Sequence, residues 1–135
     1  MSLGSLEFFD ALKVFSGLVF SVLFLQSGFD KLIDYKGNRA WISAYFKETL
    51  FNKSSGILFW VLTLTELLAG LSNATGILMF LFFQHDWLQQ LGIVLSSLAL
   101  LFIFTGQRIA KDYVSAANTI AYLAVAMLAW LIISK

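Results

Sequence analysis

The chain has 135 residues, enough for one domain, and nine basic against eight acidic side chains leave it at a net charge of +1. Hydrophobic residues make up 59% and charged residues 13%, against roughly 45–50% and about 25% in a soluble domain, so lipid is the expected solvent. With no cysteine and one histidine, disulfides, thiol redox chemistry, Fe–S clusters and Cys- or multi-His-ligated metals are excluded, and no basic face suits nucleic acid.

In chain order, residues 1–5 form a short polar lead. Glu7 and Asp10 stand where a signal peptide would carry basic residues, and no small-x-small cleavage site follows, so the first apolar segment is expected to be a retained span over residues 8–33. Its end is polar, with Gln26 and Asp30 four apart on one face, followed by Lys31. The connection 34–55 mixes Trp41, Ile42, Tyr45 and Phe46 with Arg39, Lys47 and Glu48, and predicts a short amphipathic helix over 38–51 lying in the headgroup region. An ordered loop with scattered aromatics is the alternative.

The second span, 56–83, is longer than a ~30 Å hydrocarbon core needs, and the run Ser72-Asn73-Ala74-Thr75-Gly76 could bend it. With no proline in the chain, any kink has to come from such residues. His85-Asp86 reads as a solvated turn, and Trp87 marks the interface before a third span over 88–106. A charged connection, GQRIAKDYV, leads to a fourth span over 115–133 with Trp130 as its interfacial anchor. The expected architecture is therefore all-α: a single integral-membrane four-helix bundle occupying residues 1–135.

Lys31, Lys36, Arg39, Lys47, Lys53, Arg108 and Lys111 fall in or beside the first and third connections, while only Lys13 and Lys135 belong to the opposite side. The positive-inside rule then places loops 34–55 and 107–114 in the cytoplasm and both termini outside.

Glu66 sits in the greasiest part of the second span, where an ionised carboxylate costs several kcal/mol unless partnered. Thr63, Glu66, Gly70 and Asn73 make one polar stripe. In the fourth span Ser115, Asn118, Thr119 and Tyr122 form another, and Ala117, Ala121, Ala124 and Leu128 a small-residue stripe suited to close helix packing, with a homodimer through it as one use. Gln26, Asp30, Lys31, Glu66, Gln107, Arg108, Asp112, Tyr113 and Asn118 all fall in one half of the bilayer. This predicts a polar pocket with Glu66 at its floor, closed by an apolar opposite half. Lys31 and Arg108 can both reach Glu66, and the planar guanidinium of Arg108 makes it the preferred partner. Such a network holds the helices in register or serves a ligand, two compatible roles, and a protonated, isolated Glu66 is the remaining alternative. Gly-rich phosphate loops, HExxH and Ser-His-Asp arrangements are absent, so hydrolysis, nucleotide use and zinc chemistry are poor expectations, and no metal site is expected.

Three segments, FLQSGFDKLID (24–34), TELLAG (65–70) and FTGQRIAKDYVSAAN (104–118), resemble the DoxX family of small four-helix membrane proteins. They match its S-G-x-x-K-L pattern, its acidic residue followed by glycine, and a G-Q-R-x-A-x-D-Y-like segment of a bacterial branch, with Ser115 where glycine is usual. The resemblance implies a bacterial inner-membrane protein with Lys31, Glu66, Arg108 and Asp112 as functional positions. The family takes its name from a subunit of a thiosulfate:quinone oxidoreductase, while more distant relatives are chaperones or cargo receptors without catalysis. Two expectations follow. One is a redox-associated accessory subunit binding a quinone or another small amphipathic molecule through Gln26, Lys31, Glu66, Arg108, Asp112, Tyr113 and Asn118, with Glu66 as proton donor or acceptor; the chain carries no cofactor of its own, so electrons would come from a partner protein or the quinone. The other is a non-enzymatic scaffold or assembly factor in which the Glu66 network is structural. A proton-coupled carrier is a weaker third, since no inverted repeat is visible.

Overall fold

A computed structural model of the chain describes residues 8–134; residues 1–7, which include the polar lead, and Lys135 lie outside them. The fold is an all-α four-helix bundle built from α1 (Phe8–Ile33), α3 (Ser55–Phe83), α4 (Trp87–Ile109) and α5 (Tyr113–Ile133), with a short helix α2 (Tyr35–Tyr45) between the first two. A 3₁₀ turn, Asn52–Ser54, leads into α3. The four long helices are each long and apolar enough to cross a membrane, which makes this a multi-pass membrane protein. Consecutive long helices pack side by side around the bundle, α1 on α3, α3 on α4 and α4 on α5, and the seam between α5 and α1 is the sparsest.

The apolar core follows one face of each span. Phe20 and Phe24 of α1, Ala69 of α3, Ile93, Ala99 and Leu100 of α4, and Ala126 and Ala129 of α5 are buried together. The many exposed Leu, Phe and Val side chains on the outer faces, such as Phe15, Leu64, Leu101 and Leu128, are what a bundle presents to lipid.

Several expectations are corrected. The interfacial helix spans Tyr35–Tyr45 and not 38–51, because the Asp34 carboxylate caps it by accepting from the Gly37 amide at 3.2 Å. Residues 46–51 are turns, held by the Thr49 hydroxyl on the Phe46 carbonyl. The run 72–76 needs no correction, since α3 is continuous through it, with Asn73 and Thr75 bonding back to the Ala69 and Leu71 carbonyls. Helices α4 and α5 extend towards each other, so that the charged connection shrinks to Ala110, Lys111 and Asp112, and Gln107 and Arg108 belong to α4. On α5 the inward face is Ala116, Thr119, Ala126 and Ala129; Ala117, Ala121, Ala124 and Leu128 point outward, as do Asn118 and Tyr122. One-residue offsets rotate a helical stripe by about 100°, which is enough to exchange core for lipid.

The half of the bundle away from α2 is not simply apolar. Lys13 is buried with Asp10 at 4.0 Å and Asp86 at 3.7 Å, and its carbonyl accepts from the fully buried Gln89 amide at 2.5 Å. Asn73, also fully buried, donates to Ser96 Oγ at 2.9 Å. The carbonyl oxygen of each side-chain amide, Asn73 Oδ1 and Gln89 Oε1, has no partner among the described residues. A buried amide left half-satisfied in a polar niche is a natural place for an internal water.

Close approach of α3 and α4 permits these contacts. A Cβ on Gly76 would lie 2.6 Å from the Gln89 backbone nitrogen, and one on Gly92 would lie 2.8 Å from the Asn73 backbone nitrogen. Because backbone cannot swing aside, Gly76→Ala and Gly92→Ala each destabilise the bundle by ~1–3 kcal/mol through overpacking. Gly106→Ala meets only the Phe46 ring edge at 3.0 Å and is the milder change. Thermal unfolding of the three variants in one detergent checks this order.

Candidate functional site

Helix α2 lies across one end of the bundle. Its buried Ile42, together with Phe46 just beyond it, packs on Phe59, with Tyr35, Phe51, Leu58 and Ala110 around them. The Tyr45 hydroxyl donates to Asp112 Oδ2 at 2.8 Å, which ties α2 to the α4–α5 turn. Asp112 in turn caps α5, accepting from the Ser115 amide at 3.3 Å. Trp41 and Tyr45 stack one turn apart, with ring centroids 4.7 Å apart.

Beneath α2 is a cavity of about 600 Å³ with mostly apolar walls, within the size range of small-molecule sites. Its walls are Leu58, Val61 and Leu62 of α3 and Leu101, Phe102 and Ile103 of α4, under a roof of Trp41, Ile42, Tyr45 and Phe46. Val61, Leu101 and Phe102 are also exposed on the outside of the bundle. The cavity therefore borders the lipid-facing surface.

Glu66 lies at the deep end. Its Oε2 accepts from Lys31 Nζ at 2.9 Å and its Oε1 from the Ser27 hydroxyl at 3.0 Å. Lys31 also reaches Ser27 Oγ at 2.8 Å, so the three side chains close into a ring. Glu66 is 1% exposed and Lys31 13%, the remainder facing the cavity. Helices α1 and α3 come close enough for this because both carry glycine beside the pair. A Cβ on Gly70 would meet the Leu25 backbone nitrogen at 2.8 Å, and one on Gly28 would overlap the Leu67 side chain at 2.5 Å.

Lys31, and not Arg108, is thus the cation on Glu66. Arg108 is exposed and lies over the Tyr113 ring, 4.4 Å from its centroid. The reason is geometric: α4 runs on through Gln107 and Arg108, and helical phase turns Gln107 inward and Arg108 outward. Of the expected ligand set, Lys31, Glu66 and Asp112 line the cavity, while Gln26, Arg108, Tyr113 and Asn118 do not. Gln26 and Asp30 are exposed on α1. Residues missed by the sequence reading are Ser27, which sits in the S-G-x-x-K-L segment and one turn before Lys31, and Tyr45, whose spacing of four from Trp41 was the available signal. Gln107 lines the cavity too, with its Oε1 accepting from the Thr119 hydroxyl at 2.7 Å. Among the described residues no cluster suits a metal ion. No family model, curated protein or solved structure matches the chain.

The ion pair and the Tyr45 latch make separate predictions. Lys31→Met leaves Glu66 buried without a cation and lowers stability by ~3–5 kcal/mol, whereas the double variant Lys31→Met/Glu66→Met recovers most of the loss. Arg108→Ala stays within ~0.5 kcal/mol of wild type. Chemical or thermal denaturation in detergent measures the cycle, and an Arg108→Ala loss equal to that of Lys31→Met would contradict the pairing.

The hydrogen bonds from the Ser115 side chain and the Tyr45 phenol hold the Asp112 carboxyl below its ordinary 3.8, and desolvation, aided by Asp112, pushes the Tyr45 phenol well above its ordinary 10.0. A depressed acid contributes stability that is fully present above 3.8 and lost as pH falls through its folded value; the raised phenol contributes below 10.0 and fades as pH rises above it. The latch should therefore hold across the whole window between those two values. Tyr45→Phe removes it, at ~1 kcal/mol. Hydrogen-exchange protection of α2 amides, corrected for the intrinsic pH dependence of exchange, reads both: wild-type protection is flat between the limits and Tyr45→Phe is less protected throughout.

Proposed function

We propose that this multi-pass membrane protein binds one small amphipathic molecule in the cavity beneath α2, and that it does so as the accessory subunit of a redox partner in a bacterial inner membrane. The observation that carries the reading is the cavity itself: about 600 Å³, apolar along its walls, bordering the lipid-facing surface, and ending on Lys31, Ser27 and Glu66. That layout suits a ligand whose tail lies among Leu58, Leu62, Leu101 and Phe102 and whose polar head reaches the ion pair. The DoxX-like segments supply the redox association and the quinone as a candidate head. In that version Glu66 gives or takes the proton that accompanies a change in the head, and the electrons come from a partner. The cytoplasmic placement of α2 and the α4–α5 turn follows from their basic residues.

The test is extraction of the purified protein followed by mass spectrometry, comparing wild type with Leu62→Trp, which fills the cavity while keeping Lys31, Ser27 and Glu66 as they are. Wild type should retain one amphiphile, about one per chain, and the variant should lose it. Bulk lipid alone in both preparations would end the proposal.

A second reading is a non-enzymatic scaffold or assembly factor. Its support is that Lys31, Ser27 and Glu66 satisfy one another within the bundle. Under that reading a specific membrane partner co-purifies equally with wild type and with Leu62→Trp.

A further inference from the structure

The cavity's hydrogen-bonding inventory specifies the head it accepts. We propose that the site selects a head that donates hydrogen bonds, an amine or hydroxyl on an apolar body, and discriminates against heads that only accept. The inference rests on the ligand-binding reading above and, for a quinone head, narrows it to the reduced quinol form.

The charged donor at the deep end is already used. Lys31 has three N–H groups, and they meet Glu66 Oε2 at 2.9 Å, Ser27 Oγ at 2.8 Å and the Ser27 carbonyl at 3.5 Å. The single hydroxyl hydrogen of Ser27 goes to Glu66, and that of Tyr45 goes to Asp112. A carbonyl or carboxylate arriving here would have to displace one of these bonds. The other charged groups are acceptors with room left. Each Glu66 oxygen takes one hydrogen bond from the protein and has a second lone pair. Asp112, near the roof, has no ion-pair partner among the described residues. The charged residues lining the cavity are Lys31, Glu66 and Asp112, one positive and two negative, so a neutral or cationic head is favoured and an anionic one is repelled. The donors still open in the lining, the Gln107 amide, the Thr105 hydroxyl and the Trp41 indole, are neutral, and hydrogen bonds to ionised acceptors are about twice as strong as those between neutral groups. The stacked Trp41–Tyr45 pair in the roof adds π faces that attract a cation.

The full chain in phosphatidylcholine nanodiscs is titrated calorimetrically, with empty nanodiscs subtracted. The probes are dodecylamine, dodecanol, dodecanoate, and a decyl-substituted benzoquinol alongside its benzoquinone, a pair that differs in donor hydrogens on the same body. The donating heads should bind saturably, roughly tenfold or more tighter than their acceptor-only counterparts, a ratio set by one charge-assisted hydrogen bond. Tighter binding by dodecylamine identifies a cationic ligand, and parity with dodecanol or the quinol identifies a neutral one. Asp112→Asn keeps one oxygen to cap α5 and an amide that can donate to the Tyr45 oxygen while removing the charge, so it should weaken dodecylamine more than dodecanol. Equal or tighter binding of the benzoquinone or dodecanoate overturns the donor rule while leaving an amphiphile site standing. Dodecylamine binding indifferent to Asp112→Asn overturns the charge argument. No saturable binding of any probe defeats the amphiphile site itself.

Discussion

Glu66 lies about three helical turns into α3, almost wholly buried, and everything around that carboxylate is arranged by the need to neutralise it. The cation has to come from a neighbouring helix at the same depth. Lys31 supplies it from the last turn of α1, and Ser27, one turn earlier, fills the other oxygen. Both bonds require the α1 and α3 backbones to run close together, which is why glycine stands at Gly28 and Gly70. Two charges removed from water offset their desolvation only when the geometry is good and the spare lone pairs and protons are used. A shared hydroxyl between the two is an economical way to meet that condition.

The pairing also explains why the end of the bundle is hollow. Lys31 and Glu66 draw α1 and α3 together on one side, while α4 stays in register with α3 through the glycines at Gly76 and Gly92, at the far end. The cavity lies between Leu58 and Leu62 on one helix and Leu101 and Ile103 on the other, and α2 covers it instead of filling it. The latch from Tyr45 to Asp112 makes that cover part of the fold. The far end meets the same lipid constraint differently: Lys13, Asp86, Gln89, Asn73 and Ser96 interlock at close helix spacing, leaving two amide oxygens open.

The bundle was legible because its signals are one-dimensional. Four apolar runs of sufficient length, separated by charged or turn-forming residues, dictate four spans; an isolated acid in one of them dictates a partner. The stripe Thr63, Glu66, Gly70 and Asn73 was also readable, since helical periodicity within a single span needs no knowledge of its neighbours, and all four positions are buried. Depth likewise brought Lys31, Glu66 and Asp112 to one end.

What the sequence alone could not settle was every question of azimuth. Lys31 and Arg108 lie at similar depth with similar reach, and only the rotation of α1 and α4 about their axes decides that the first faces Glu66 and the second faces out towards Tyr113. The same rotation sends Asn118 outward and Thr119 inward on α5, and makes Ala116 a core residue where Ala117 meets lipid. In a soluble protein, polarity would have marked the outward faces. In a lipid-facing bundle both faces are apolar, so the composition of a span carries depth and length but little phase, and the packing of glycine against backbone in three dimensions supplies the rest.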